Sequence, residues 1–240
     1  MIDERIDGQM DDPSDGRVIT EWQVREIIER HFQEELETLS EISRDTSHQR
    51  SLIVGFDRYK FFNYDKIKNK SYRGNSPKSP DMLLFKDDEI IFVEFKSGRI
   101  ERRKKECRHR SEDDECKYVM WDIRLKAIEG GFIVLQHVLS KIRADVRLLD
   151  IFTLNKTYIL VYNDAYENSR KFPFHYCHDP FYAGEVKFGL HIYRKTFFNK
   201  IHTFSKSTFV EWLVFNKFID APLNERLYRR IANPHGWEVN

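Results

Sequence analysis

The chain has 240 residues, of which 40% are hydrophobic and 33% charged, enough apolar sequence for one folded domain and too much for a disordered protein. Its 40 Lys and Arg residues nearly cancel 39 Asp and Glu, and the net charge of +1 excludes a polybasic tail protein. The 3 cysteines exclude a disulfide framework. The polar, acidic residues 1–15 do not resemble a secretory signal, and no apolar run is long enough to span a membrane. We therefore expect a soluble cytoplasmic protein.

The first part of the chain predicts a polar lead, a helix and a short strand. Residues 1–19 are rich in Asp and Gly and are expected to be flexible. Apolar residues recur at helical spacing after Thr20, which predicts a helix over about 20–42 with Thr20 as its N-cap. The apolar run 51–56 predicts a strand.

Residues 58–80 combine basic and aromatic side chains and end in a loop rich in Gly and Pro. The cations could neutralise phosphates while the rings stack on unpaired bases. Alternatively, this is a solvated loop whose rings fold back on the domain. A second basic block, 99–110, could contact phosphates or be a mobile insert. The candidate nucleic-acid contacts are Lys66, Lys68, Lys70, Arg73, Lys78, Arg102 and Arg103.

The rest of the chain predicts a mixed α/β core followed by a C-terminal extension. Strand patterns at 81–85 and 90–96 are joined by a turn at 86–89. A stripe of apolar residues then runs from 121 to 142 through Gly130-Gly131, which predicts one helix, packed on the sheet and kinked at the glycines. A fully apolar segment at 158–162 predicts a central strand. The core is assigned to 20–165 and the extension to 166–240, where we expect a strand near 186–192 and a helix at about 209–215, capped between Ser205 and Thr208.

Two acids and a lysine lie at the ends of the paired strand segments. Alternate residues of a strand share a face, so Glu94 and Lys96 are expected on the same side, about 6.5 Å apart along the chain. A symmetric turn at Asp87-Asp88 sets Asp81 opposite Glu94, with Cβ atoms about 5 Å apart. The same register pairs Phe85 with Ile90 and Leu83 with Phe92.

Opposed carboxylates destabilise a sheet, but a divalent cation between them would remove that cost. Mg²⁺ binds oxygen ligands and usually takes few carboxylates and several waters. Such an ion would stabilise charge on a phosphate and lower the pKa of a bound water, which Lys96 could hold or deprotonate. The alternative is an edge hairpin in which Glu94 and Lys96 form ordinary surface ion pairs.

Pro80-Asp81 and Glu94-Phe95-Lys96 resemble the signature of the PD-(D/E)xK nuclease superfamily. The resemblance covers about residues 20–165 and implies a restriction-endonuclease-like α-β-β-β-α-β core with a mixed sheet flanked by helices. It also implies that Asp81, Glu94 and the Phe95 carbonyl bind Mg²⁺ or Mn²⁺ and that Lys96 assists the attacking water. Some members add a glutamate from the first helix. The candidates here are Glu21, Glu26, Glu29, Glu34 and Glu35.

The function expected from this resemblance is hydrolysis of phosphodiester bonds by a metal-dependent endonuclease. DNA is favoured over RNA by analogy with the superfamily, and restriction, repair or anti-phage defence would suit such an enzyme. Cutting both strands of a duplex would favour a homodimer, and we expect no membrane partner. Two alternatives remain open: a catalytically inactive nucleic-acid-binding module on the same fold, and a protein-interaction factor that uses the aromatic C-terminal half.

A zinc site is a weaker hypothesis. Cysteine and histidine are the usual ligands of zinc, but there is no Cys-x-x-Cys pair and the spacing is not that of a zinc ribbon. Ordinary structural roles explain these residues better. The residues concerned are Cys107, His109, Cys116, His175, Cys177 and His178.

Overall fold

The computed structural model describes residues 18–45, 50–98, 100, 121–163, 186 and 188–220. Within these residues a six-stranded sheet, in the order β1-β4-β5-β6-β7-β8, carries helices on both faces. The strands are β1 Leu36–Thr38, β2 Arg44–Asp45, β3 Arg50–Ser51, β4 Lys60–Asn63, β5 Met82–Lys86, β6 Glu89–Lys96, β7 Lys156–Tyr162 and β8 Lys200–Ser205, of which β2 and β3 form a separate hairpin. The helices are α1 Glu21–His31, α2 Leu39–Ile42, α3 Tyr64–Ser71, α4 at 121–140, α5 Leu148–Thr153 and α6 Lys206–Phe215. The mixed α/β class is confirmed.

Strands β5 and β6 form the hairpin that the sequence predicts. They are antiparallel, with Leu83 paired to Phe92 and Phe85 to Ile90. Asp87 takes a left-handed conformation, with φ 47°, in the two-residue connection. A positive φ at the first central residue is typical of the tight turns that join twisted strands.

Strands β6, β7 and β8 are parallel and form the more deeply buried part of the sheet. All seven residues of β7 are buried, which confirms the central strand predicted at 158–162. A strand with parallel neighbours and helices on both faces has no solvated side, so residues 158–162 are apolar. Lys156 and Thr157, at the start of the strand, are also buried and have polar partners.

Alternate residues of β6 serve two different cores. Ile90 and Phe92 pack with α1, α3, α4 and α5, whereas Ile91, Val93 and Phe95 pack with α2 and α6. Glu94 therefore belongs to the face covered by α4, because side chains of a strand alternate between faces. This alternation positions Glu94 and Lys96 under the same helix.

Helix α4 continues through its two glycines, as predicted, but it changes to a π-helical turn at Glu129–Val134. The glycines permit close packing: a Cβ on Gly130 would lie 2.2 Å from Pro80 Cδ, and one on Gly131 would lie 2.9 Å from Phe198 Cζ. The predicted packing stripe is partly wrong, because the π-turn changes the helical phase. Its members Trp121, Leu125 and Ile142 are exposed.

Three other predicted elements differ from the structure. The first helix ends at His31 instead of about 42, and the chain continues through a 3₁₀ turn into β1, which pairs with β4. Residues 52–56 are not a strand, because Gly55 and Phe56 both have positive φ. In place of a strand near 186–192, residues 188–193 form a turn and a 3₁₀ helix, while β8 lies further along.

The predicted caps of α1 and α6 are confirmed. Thr20 accepts a hydrogen bond from the Gln23 N–H, and Ser205 accepts one from the Thr208 N–H. Each cap satisfies an N–H group that the first helical turn leaves without a partner. In the part of the chain that the structure describes, no helix has both the length and the apolar character of a membrane span.

Candidate functional site

The two acids and the lysine identified in the sequence meet at the end of the β5–β6 hairpin opposite its turn. The Asp81 N–H donates to the Val93 carbonyl at 3.0 Å, and Asp81 Oδ2 accepts from the Phe95 N–H at 2.7 Å. The paired register ends at Met82–Val93, so Asp81 does not face Glu94 as a regular strand pair. That detail of the prediction is wrong because the Asp81 carboxylate takes the position of a ladder acceptor.

Glu94 and Lys96 project from the same side of β6, as the alternation of strand side chains requires. Lys96 Nζ lies 2.9 Å from Glu94 Oε1, and the Glu94 side chain is fully buried. A surface ion pair would leave both groups in water. The prediction of ordinary surface ion pairs therefore does not describe Glu94.

Lys126 of α4 completes the cluster and was not predicted from the sequence. Its Nζ lies 2.9 Å and 3.0 Å from the two Glu94 oxygens and 3.3 Å from Asp81 Oδ1. One ammonium group therefore contacts both carboxylates, and this shared contact shows that the two acids converge on one position.

A second set of charges surrounds this cluster. Asp122 Oδ2 lies 3.4 Å from Lys96 Nζ, and Asp122 Oδ1 lies 3.0 Å from Lys78 Nζ. Glu129 accepts from the Lys78 backbone N–H at 2.6 Å. Asp122, Lys126 and Glu129 follow a four-then-three spacing along α4, which puts them on one face. This polar stripe, lying between apolar residues of the helix, is the sequence signal that could have identified them.

The combined effect of burial and neighbouring charges raises the pKa values of Asp81 and of both lysines at the site. Burial raises the pKa of Asp81 to about 7, and the nearby Glu94 carboxylate adds to the rise. For Lys96 and Lys126, burial opposes the charged form, but the Glu94 and Asp81 carboxylates outweigh it and raise both pKa values. Both lysines therefore carry a positive charge at neutral pH.

The site opens into a cleft of about 380 Å³. Its lining includes four carboxylates and three cationic side chains, together with Asn63 and the chain from Phe95 to Gly98. An anion that enters such a cleft meets an excess of negative groups. The lining acids are Glu41, Asp45, Asp65 and Asp81, and the lining cations are Arg44, Lys96 and Lys126.

The donor set at the site fits a hard divalent cation with two protein carboxylates. The N–H and C=O of one strand residue point to the same side, so the Phe95 carbonyl faces the side on which Asp81 accepts the Phe95 N–H. Two carboxylates with one carbonyl are an ordinary ligand set for Mg²⁺, which keeps several waters. Among the described residues, no group of three or more His, Cys, Asp and Glu side chains is arranged to hold a metal.

The basic residues of 58–80 are largely paired with acids of the same chain. Lys66 pairs with Glu37, Lys68 with Asp65, Lys70 with Glu34 and Glu35, and Lys78 with Asp122. Arg73 is exposed in the loop after α3. The rings of Phe61, Phe62 and Tyr64 are buried in the two cores, so stacking of these three on bases, one of the two alternatives, is wrong.

The remaining candidates are away from the site or outside the described residues. Glu21 accepts from the Asn155 N–H at the far end of the sheet, while Glu26 and Glu29 pair with arginines of α1. Glu34 and Glu35 pair with Lys70. Arg102, Arg103 and the hypothetical zinc ligands lie outside the residues that the structure describes.

Neither a protein-family model, nor a curated protein, nor a solved structure matches this chain. The resemblance to the PD-(D/E)xK superfamily therefore depends on the signature residues, the order of the elements and the geometry of the site.

Proposed function

We propose that the protein is a divalent-metal-dependent endonuclease of the PD-(D/E)xK type. The observation that carries the proposal is the convergence of Asp81 and Glu94 on one cation position, with Lys96 Nζ at 2.9 Å from Glu94. The antiparallel hairpin, the crossover helix α4 and the parallel strand β7 support a restriction-endonuclease-like core. DNA is the preferred substrate by analogy with that superfamily.

In this proposal the metal is held by Asp81, Glu94 and the Phe95 carbonyl. When bound, the ion supplies stabilisation of the charge that develops on the phosphate and a lower pKa for a bound water. It also offsets the excess of carboxylates that line the cleft, which would otherwise repel a phosphodiester.

Lys96 acts as a hydrogen-bond donor in this mechanism, because its raised pKa keeps it protonated. An ammonium group has three N–H donors, and Glu94 and Asp122 account for two of them. The third can hold a water or a phosphate oxygen. Another group must therefore accept the proton of the attacking water. Lys96 orients that water or stabilises the phosphate oxygen.

A second candidate function, a catalytically inactive nucleic-acid-binding module, is favoured by one observation. The ammonium groups of Lys126 and Lys96 together already balance the charge of the carboxylate pair, so the site is electrostatically satisfied without a metal. A fold that needs no ion at this position could bind nucleic acid without cutting it.

Cleavage assays with a matched pair of variants on β6 distinguish the two functions. Glu94→Gln removes a site carboxylate, whereas Glu89→Gln makes the same change at the other end of the strand, where Glu89 contacts Thr157 and Lys200. With Mg²⁺ or Mn²⁺ we expect cleavage of circular and linear DNA, reduced at least about 100-fold by Glu94→Gln and retained by Glu89→Gln.

Single- and double-stranded DNA and RNA belong in the same assay. Binding without cleavage of any of them, under either metal, would establish the inactive module and overturn the enzyme proposal. Equal cleavage by wild type and Glu94→Gln would show that the activity does not come from this site.

A further inference from the structure

The ammonium of Lys126 occupies the position that a metal ion would need. It lies within 3.3 Å of three oxygens, both of Glu94 and one of Asp81. An ion bound to these two carboxylates would require the same oxygens at about 2.0–2.1 Å. The ammonium and the ion therefore cannot occupy the site together.

The surroundings of Lys126 hold its backbone and leave its side chain room to move. The neighbouring helix residues Ile123 and Ala127 are buried against the sheet, which fixes this part of α4. The Lys126 side chain is 16% exposed and lines the cleft. Rotation about its flexible stem can therefore carry the ammonium into the cleft without moving the helix.

We propose that Lys126 is a displaceable counter-ion that competes with the divalent metal for the Asp81–Glu94 pair. Without metal, its charge holds the buried Glu94 and the half-buried Asp81 together, which would otherwise repel each other. Metal binding expels the ammonium, and the metal affinity is set by this competition. The inference rests on the proposed function, because it assigns a regulatory role to a residue of the same site.

Lys96 provides the matched comparison. Its Nζ is also 2.9 Å from Glu94 Oε1, but its second partner is Asp122 and not Asp81. A metal can bind Asp81 and Glu94 while Lys96 stays between Glu94 and Asp122. Lys96→Met therefore removes an equal charge at an equal distance from Glu94 without vacating the metal position.

Titration with Mn²⁺, followed by calorimetry and by the electron paramagnetic resonance of the free ion, tests the competition directly. We expect Lys126→Met to bind Mn²⁺ about tenfold or more tightly than wild type, and Lys96→Met to improve binding by less than about threefold. Equal tightening in the two variants would mean that only net charge matters, and would overturn the inference.

A second measurement uses the wild-type protein and does not depend on how a variant folds. Acetylation of individual lysines, followed by mass spectrometry, reports how accessible each side-chain nitrogen is and how readily it loses a proton, because only the neutral amine reacts. Saturating Mn²⁺ should increase the acetylation rate of Lys126 several-fold and leave that of Lys96 within about twofold. An unchanged rate for Lys126 in metal-loaded protein would overturn the displacement.

The two proposals fail in different ways. If Mn²⁺ binds neither the wild type nor Lys126→Met, the metal site is wrong and both the inference and the nuclease proposal fall. If Mn²⁺ binds and supports cleavage, but neither affinity nor acetylation depends on Lys126, only the counter-ion role is wrong.

Discussion

Two lysines lie at opposite ends of the β6–β7 strand pair, Lys156 buried and Lys126 half-buried, and their partners differ in kind. Lys126 contacts the carboxylates of Glu94 and Asp81 near the end of β6. Lys156, at the start of β7, donates to the carbonyls of Ile151, Phe152 and Leu154 and lies 4.8 Å from the centre of the Phe132 ring. Both ammonium groups replace lost water contacts, one with charged oxygens and the other with neutral ones.

This difference in partners is the reason for assigning the proposed exchangeable cation to Lys126 and not to Lys156. Carboxylates raise the pKa of Lys126, whereas burial lowers the pKa of Lys156 to about 8 in spite of its three carbonyl partners. The carbonyls around Lys156 include the last ones of α5, which have no partners within the helix. Lys156 therefore serves the fold, while Lys126 lies in an open cleft between two acids.

Replacing each lysine by methionine is expected to produce the largest contrast. Lys156→Met leaves carbonyls buried without donors and should lower the free energy of unfolding by about 3–5 kcal/mol. Lys126→Met should lower it by only about 1–2 kcal/mol, because Asp81, with its pKa near 7, can take up a proton. Urea unfolding at pH 7 measures both values, and a greater loss for Lys126→Met would break the comparison.

The change in the free energy of unfolding above pH 8 is a smaller effect, and its direction follows from the pKa of Lys156. The pKa of Lys156 is about 8 in the folded state and that of an ordinary, solvated lysine is 10.5, so the unfolded chain binds more protons between these values. Stability contributed by this group therefore rises with pH across that window, by at most about 2 kcal/mol.

The stability contributed by Lys126 changes with pH in the opposite direction. Its folded-state pKa is raised, so its contribution is fully present below pH 10.5 and is lost at higher pH. Unfolding measured at several values between pH 8 and 10.5 should show a rise in wild type that Lys156→Met lacks. The absence of any difference between the two profiles would contradict the lowered pKa of Lys156.

The smallest expected effect lies in the hairpin turn at the Lys156 end of the sheet. Asp87 has φ 47°, and Asp88 is not among the residues with positive φ. Asp87→Gly should stabilise the protein by about 0.5–1 kcal/mol, whereas Asp88→Gly should destabilise it. Both variants should retain the Mn²⁺ affinity of wild type. A changed affinity would show that the two ends of the sheet are coupled.

The hairpin and half of the site could be predicted because their information is local. A two-residue turn between apolar strands fixes the register, and alternation along β6 puts Glu94 and Lys96 on one face. The helix cap at Thr20 is likewise encoded within a few residues. Each of these features depends on side chains that are close together in the sequence.

The features that were missed depend on contacts between distant segments. The apolar spacing that predicts a longer first helix continues through Leu36, but that residue pairs with Phe62 in the sheet. Lys126 and Asp122 are polar positions on a helix that was interpreted only through its apolar stripe. Only the packing of α4 over β6 brings Lys126 to Glu94 and Asp122 to Lys96, and neither segment specifies that packing alone.

The contact between Gly130 and Pro80 constrains which residues of the chain can change independently during evolution. Pro80 directly precedes Asp81, and Gly130 lies one helical turn after Lys126, so this point of contact sets the gap between the lysine and the acid. Any side chain at position 130 would collide with the proline ring and move α4 outward. Positions 80, 81, 126 and 130 should therefore covary among homologues. Homologues with a larger side chain at position 130 should also lack the acid at 81 or the lysine at 126.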